Sequence, residues 1–169
     1  MIEFFDRIDN FWADQLLSYK FPNSVNTGQN SVFHTNYFDP KNNLLQGFDE
    51  ELPDLKTKFM QALNITHKEI CSISWTCISP GNTIPLHQDK FWKLQEKYNI
   101  DIDDCVRYLI FLEDWAIGNY VEFEETLITK WSAGDVWMFD HCSPHCAANA
   151  SHRDFYTCQI NTTKGTHAR

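Results

Sequence analysis

Three side chains able to ligate a metal stand at a useful spacing: His87 and Asp89 one residue apart, and His145 fifty-eight residues further on. Successive strand residues point to opposite faces, so two residues separated by one share a face of a β-strand. An imidazole and a carboxylate placed that way can grip one metal ion together, and a later histidine can close the triangle. Two histidines and one carboxylate on one face of an octahedral ion suit non-haem Fe(II). They leave three positions open, enough for a bidentate co-substrate and dioxygen.

The triplet alone is weak evidence. With seven His and fourteen Asp in 169 residues, a His-x-Asp arises by chance about as often as not. A second copy, His152-Arg153-Asp154, shows that base rate; only His167 follows it, with no room for strands carrying a distal ligand. The run His141-Cys142-Ser143-Pro144-His145-Cys146 offers a rival chemistry, since all four His and Cys side chains suit structural zinc. It lacks a second C-x-x-C or paired-His knuckle, and Pro144 breaks the helix that four-residue spacing would need.

The elements that must position these side chains are mainly strands. From Glu69 the hydrophobic period becomes two: 70–78 is β-rich, Pro80-Gly81 turns, and a second strand runs through 83–89. Residues 90–99 are charged, with Phe91, Trp92, Leu94 and Tyr98 interspersed, and read as a helical insertion. Strands are then expected at 106–112, 120–123, 126–131, 136–139 and about 155–161, with turns at Gly118-Asn119 and Ala133-Gly134-Asp135. Upstream, Asp9 or Asn10 caps a helix to about Tyr19, and 22–43 reads as polar loop. Pro53 opens a second amphipathic helix with Leu55, Phe59 and Leu63. Six to eight strands with turns every 8–12 residues point to a mainly β jelly roll whose two sheets enclose a pocket. The reading is one domain over 1–169, with 1–68 as helical and irregular support and 69–162 as the core.

Bulk properties narrow the function. The chain has 43% hydrophobic and 15% aromatic residues, enough for a filled core and too many for disorder. No apolar run reaches the roughly 18 residues that span a bilayer. The start, Met1 to Asp6, lacks the basic segment and cleavage site of a signal peptide, which suits a cytoplasmic protein. Net charge is −9 without a Lys/Arg cluster, which excludes general nucleic-acid binding. The six cysteines then read as free thiols, mostly buried.

The stretch from about 70 to 162 resembles the double-stranded β-helix core of the Fe(II)/2-oxoglutarate-dependent oxygenases. The resemblance rests on His87-x-Asp89, Arg107-Tyr-Leu-Ile-Phe-Leu112-Glu-Asp-Trp115, Trp131-Ser-Ala-Gly134-Asp135-Val-Trp-Met-Phe139 and Pro144-His145-x-x-x-Asn149, in that order. The likeness is greatest to the small single-domain members of phage and marine-bacterial type. It implies that His87, Asp89 and His145 ligate iron, with 2-oxoglutarate and O2 as co-substrates and a small molecule or peptide side chain hydroxylated. The retained Asp89 argues against halogenation, which needs that carboxylate replaced.

One departure stands out. The family places an Arg or Lys about ten residues after the distal histidine to pair with the far carboxylate of 2-oxoglutarate; here Phe155 stands there. Arg107 and Arg153 are the candidates to replace it, since a guanidinium fork suits a carboxylate. Thr157 is expected to assist. Asn149 is read either as a contact near the metal or co-substrate, or as a turn cap. The insertion borders the expected pocket, making Phe91 and Trp92 candidate substrate contacts or packing residues. Two other classes stay open: a cupin-like metal enzyme without 2-oxoglutarate, and a non-catalytic jelly roll.

Overall fold

The computed structural model describes residues 2–13, 15, 44–48, 53–66 and 70–164. Its strands form two antiparallel sheets. The larger has the order β1 (Ile2–Arg7), β8 (Asp135–Asp140), β5 (Cys105–Phe111), β10 (Phe155–Thr163), β3 (Ser72–Ile78), β2 (Leu44–Phe48). The smaller has the order β4 (Thr83–His87), β9 (His145–Asn149), β6 (Asn119–Phe123), β7 (Thr126–Ile128). The helices that bear on the core and the site are α1 (Pro53–Ala62) and α2 (Trp92–Tyr98), and a short 3-10 turn follows at Ile102–Asp104. The fold is the expected mainly β jelly roll. Among the described residues no helix is long and apolar enough to cross a membrane.

Both faces of the larger sheet are covered, and the alternation along its strands shows how. Ile73, Trp75, Val106, Tyr108, Ile110, Val136, Cys158 and Ile160 point outward and pack under Leu55, Phe59, Met60 and Leu63 of α1, with Trp12 completing the cover. The Trp12 indole N–H donates to the Leu112 carbonyl at 2.9 Å. The residues between them in sequence point inward: Ile78, Leu109, Phe111, Phe139 and Phe155 meet Val121, Phe123 and Ala147 of the smaller sheet. All six cysteines are free thiols.

The N-terminal 68 residues, expected to be helical and irregular, also supply both edges of the larger sheet. β1 pairs with β8 across a bulge between Phe4 and Asp6, and β2 pairs with β3. Of the expected first helix, Asn10, Phe11 and Trp12 are not helical, whereas Ala13 and Gln15 are; residues 14 and 16–19 and the expected 22–43 loop lie outside the described residues. Strand β9 was also not anticipated, because His145-Cys-Ala-Ala-Asn149 has neither β-branched residues nor a hydrophobic alternation.

The turn into β8 depends on Gly134. Its φ is +93, its N–H donates to Phe111 O at 2.8 Å, and its carbonyl accepts from Ile8 N at 3.0 Å. A Cβ there would run into the Ile8 carbonyl oxygen, whereas one on Gly81, with φ +80, would meet open space. Gly134→Ala is expected to lower stability in urea unfolding by about 2–4 kcal/mol, against about 1 kcal/mol for Gly81→Ala. Equal losses in the two variants would show that backbone conformation alone, not the collision with Ile8, sets the cost.

Candidate metal centre

His87 ends β4 and His145 begins β9, and the two are direct partners in the ladder, with ring centroids 4.2 Å apart. Asp89 lies two residues past the strand end. Its Oδ1 is 3.9 Å from His87 Nε2 and its Oδ2 is 3.9 Å from His145 Nε2. One ligand atom from each residue lies within 4.8 Å of the others. With ligand bonds near 2.1 Å, neighbouring donors on an octahedral ion are about 3 Å apart, so closure of about 1–2 Å would seat one. Among the described residues this is the one group of three or more His, Cys, Asp or Glu side chains that converge in this way. Cys146 follows His145 directly and so faces the other side of β9, which disperses the His/Cys run considered for zinc.

Hydrogen bonds fix the tautomers. His87 Nδ1 is 2.8 Å from Pro85 O, and His145 Nδ1 is 3.0 Å from Ser143 O. A carbonyl can only accept, so Nδ1 carries a proton in both rings and Nε2 is the atom turned toward Asp89. Phe123 stacks on His145 at 5.1 Å and Phe139 meets it edge-on at 4.8 Å. That burial pushes the His145 pKa down to about 4; the Asp89 charge pulls upward and is outweighed, with His87 adding to the fall.

Arg107 faces the same carboxylate. Its Nη1 lies 2.9 Å from Asp89 Oδ2 without the alignment of a hydrogen bond, so that buried oxygen is ion-paired but has no donor. The Arg107 Nε–H donates to Asn161 Oδ1 at 2.7 Å, and Asn161 Nδ2 donates to Ser72 Oγ at 3.1 Å. The guanidinium carbon sits 5.7 Å over the Phe91 ring. Phe91 is buried with Leu94 and Cys105, whereas Trp92 is 59% exposed. The ion-pair partner of Arg107 is thus Asp89 and not one of the acids nearer in sequence, Asp103, Asp104 or Glu113.

Arg153 and Asn149 lie at the other end of the barrel. Asn149 is four residues along β9 from His145, roughly 13 Å in an extended strand. Its Nδ2 donates to Ile78 O at 2.6 Å and Arg153 O at 2.8 Å, and its Oδ1 accepts from Ser151 N at 3.0 Å and Ser151 Oγ at 2.7 Å. The exposed Arg153 guanidinium donates to Asp114 O at 2.8 Å. Phe155 fills the barrel interior at that end, with Trp131 5.1 Å away and Phe111 stacked on Trp131 at 4.0 Å. Thr157 is buried on the inward face and accepts from Gln159 Nε2 at 2.7 Å. Sequence reasoning overlooked Gln159, Asn161, Ser72, Ser74 and Thr76. The available signal was two strands, 72–78 and 155–161, each with polar residues at period two.

No protein-family model matches the chain, and no curated protein matches it in sequence. Solved structures do resemble it. The non-heme alpha-ketoglutarate-dependent carbocyclase SnoK from nogalamycin biosynthesis aligns with a TM-score of 0.54 and 12% identity, over 71% of this chain and 63% of that one. A cupin 2 conserved barrel domain protein from Salinispora arenicola gives 0.43 and 14% identity, over 80% and 93%. The nickel complex of the non-heme monooxygenase ThoJ gives 0.44 and 14%, over 66% and 50%, so this chain spans half the length of that protein. The SnoK likeness bears on the fold, which it shows to be the jelly roll.

The His145 shift has a signed consequence for the metal-free protein. A histidine moved from 6.5 to about 4 on folding binds fewer protons folded than unfolded between those values. Its contribution is fully present above pH 6.5 and is lost as the pH falls toward about 4, by at most about 3 kcal/mol. Urea unfolding across that window is expected to show this loss, and His145→Phe to flatten it. An unchanged slope in His145→Phe would mean that another group governs acid stability.

Proposed function

We propose that the protein is an Fe(II)- and 2-oxoglutarate-dependent dioxygenase that hydroxylates a small molecule or a peptide side chain. One observation carries the reading. Two histidines with their Nδ1 atoms tied to backbone carbonyls turn both Nε2 atoms on a carboxylate whose buried Oδ2 has no hydrogen-bond donor. The donor set fits Fe(II) in type, and the unsatisfied Asp89 Oδ2 fits a cation.

His87, Asp89 and His145 would hold the iron, and Arg107 would supply positive charge to the carboxylate of 2-oxoglutarate nearest the metal. Iron and 2-oxoglutarate together would supply the oxidation, in which O2 and the co-substrate become CO2, succinate and one new hydroxyl on the substrate. The chain's own contribution is orientation and dryness. Phe123 and Phe139 shield His145, the Pro85 and Ser143 carbonyls aim the imidazoles, and Phe91 packs the insertion beneath Arg107. The exposed Trp92, next to Phe91, is the candidate contact for substrate. The acidic charge balance favours a small or peptidyl substrate over nucleic acid.

Phe155, with Trp131 and Phe111 behind it, favours a second reading: a cupin-like metal enzyme that does not use 2-oxoglutarate. Anaerobic titration of the protein with Fe(II) and 2-oxoglutarate separates the two. The visible metal-to-ligand charge-transfer band is expected, and His87→Ala should abolish it while weakening Fe(II) binding by about 100-fold or more. Iron binding without the band would favour the second reading, and no iron binding would remove both.

A further inference from the structure

The inward face of the larger sheet carries a polar stripe. Along the β10–β3 ladder the inward pairs are Asn161 with Ser72, Gln159 with Ser74, Thr157 with Thr76, and Phe155 with Ile78. Arg107 lies beside Asn161 on the other flank, so the first rung is the one at the metal centre. Accessibility falls along the stripe. Arg107, Asn161, Ser72 and Ser74 are half-buried, Gln159 is 8% exposed, Thr157 3%, Thr76 2% and Phe155 0%. The stripe therefore runs inward from the metal ligands, its more exposed end beside them and its buried end at the Phe155 stack.

The middle of that stripe is polar and uncharged. Ser74 and Thr76 both donate to Gln159 Oε1, at 3.0 and 2.9 Å, and Gln159 Nε2 gives one N–H to Thr157 Oγ1 at 2.7 Å. This arrangement leaves the second Gln159 N–H and the Thr157 O–H as donors and the Ser74 and Thr76 oxygens as acceptors. The described strands contain two cationic residues, Arg7 and Arg107. The Arg7 side chain is 59% exposed and bound to Asp135, and Arg107 is held by Asp89 and Asn161. A carboxylate reaching the second and third rungs would meet hydrogen-bonding groups but no counter-charge, and burying it that way is unfavourable.

We infer that Ser74, Thr76, Thr157 and Gln159 recognise the far end of the organic ligand held at the metal, and that they do so by neutral hydrogen bonds. A 2-oxo acid with an uncharged polar tail then binds at least as well as 2-oxoglutarate. This rests on the reading of the site as an iron centre that chelates a 2-oxo acid.

The test compares three 2-oxo acids with the Fe(II)-loaded protein under anaerobic conditions, following the charge-transfer band: 2-oxoglutarate, its 5-methyl ester, and 2-oxopentanoate. The ester is expected to bind at least as tightly as 2-oxoglutarate, and 2-oxopentanoate, whose tail is apolar, about tenfold more weakly than the ester. Gln159→Leu should shrink the gap between ester and 2-oxopentanoate to about threefold or less. If that variant fails to fold, the wild-type series still decides. An advantage of 2-oxoglutarate over the ester of about 100-fold would place a cation at the far end and overturn the inference, while leaving the proposed function standing. Equal binding of all three would overturn it by removing the stripe from the contact. No band with any of them would defeat the inference together with the reading beneath it.

Discussion

Asp89 carries a negative charge where water barely reaches, and its surroundings are arranged to balance that charge. Its side chain is 10% exposed, and Arg107 is the cation paired with it. The guanidinium is held by Asn161, which bonds Ser72, so the balance spans β5, β10 and β3. The ladder registers are therefore part of the site. A one-residue slip of β5 would turn Arg107 toward α1 and present Val106 or Tyr108 to the carboxylate instead. The His145 imidazole does not help, since burial holds its pKa down to about 4 and its Nδ1 proton is directed to Ser143 O, so its Nε2 offers a lone pair to the carboxylate. Three side chains that can each ligate a cation converge here, and Arg107 reaches only one side of them. That asymmetry supports a metal at the centre better than the residue types alone.

The barrel has two unlike ends. At one end the inward side chains are Arg107, Asn161, Ser72 and the triad; at the other they are Phe155, Trp131, Phe111 and Ile78. Aromatic stacking at the second end excludes water and fixes the mouth as the way in. Phe91 marks the mouth from outside. Its backbone is left-handed at φ 46, a conformation a bulky side chain adopts only under constraint, and this places its ring under the Arg107 guanidinium. The strained residue lies two positions after Asp89, where a change of chain direction is needed.

Much of this was legible in the sequence. The period-two pattern located β3, β4, β5, β6 and β8, and the Gly134-Asp135 turn located the start of β8, because each signal is local. His87, Asp89 and His145 stood out through residue type and spacing. The edge strand β1 was not legible, since its pairing with β8 joins distant parts of the chain and Phe4-Phe5 breaks its alternation. Nor was the Arg107–Asp89 pair. The residues next to Arg107 in sequence offered nearer acids, and only the ladders show that Asp89 lies opposite. Asn149 looked chemically interesting for the right residue type, but its side-chain atoms are taken up by Ile78, Ser151 and Arg153 at the far end.

The face on which His87 lies is itself set by a defect in a strand. Thr83 pairs with Ala148 and Ile84 with Ala147; carried on unbroken, that register would set Leu86 opposite His145. His87 is the actual partner, because a shift between Ile84 and His87 inserts one residue. The extra residue turns Leu86 outward, where it is 69% exposed, and brings His87 in. Pro85 lies inside the shifted segment. It has no N–H to lose from the ladder, and β4 is an edge strand, the setting that tolerates both proline and a bulge. The Pro85 carbonyl then takes the His87 Nδ1 proton, so the same defect aims the ring as well. Four residues away Asn149 pins the other end of the pair, its backbone N–H donating to Asn82 O at 2.9 Å and its carbonyl accepting from Gly81 N at 2.7 Å. With one end clamped and one residue inserted, His87 has one place to go, and Asp89, two positions on, follows it to the same face.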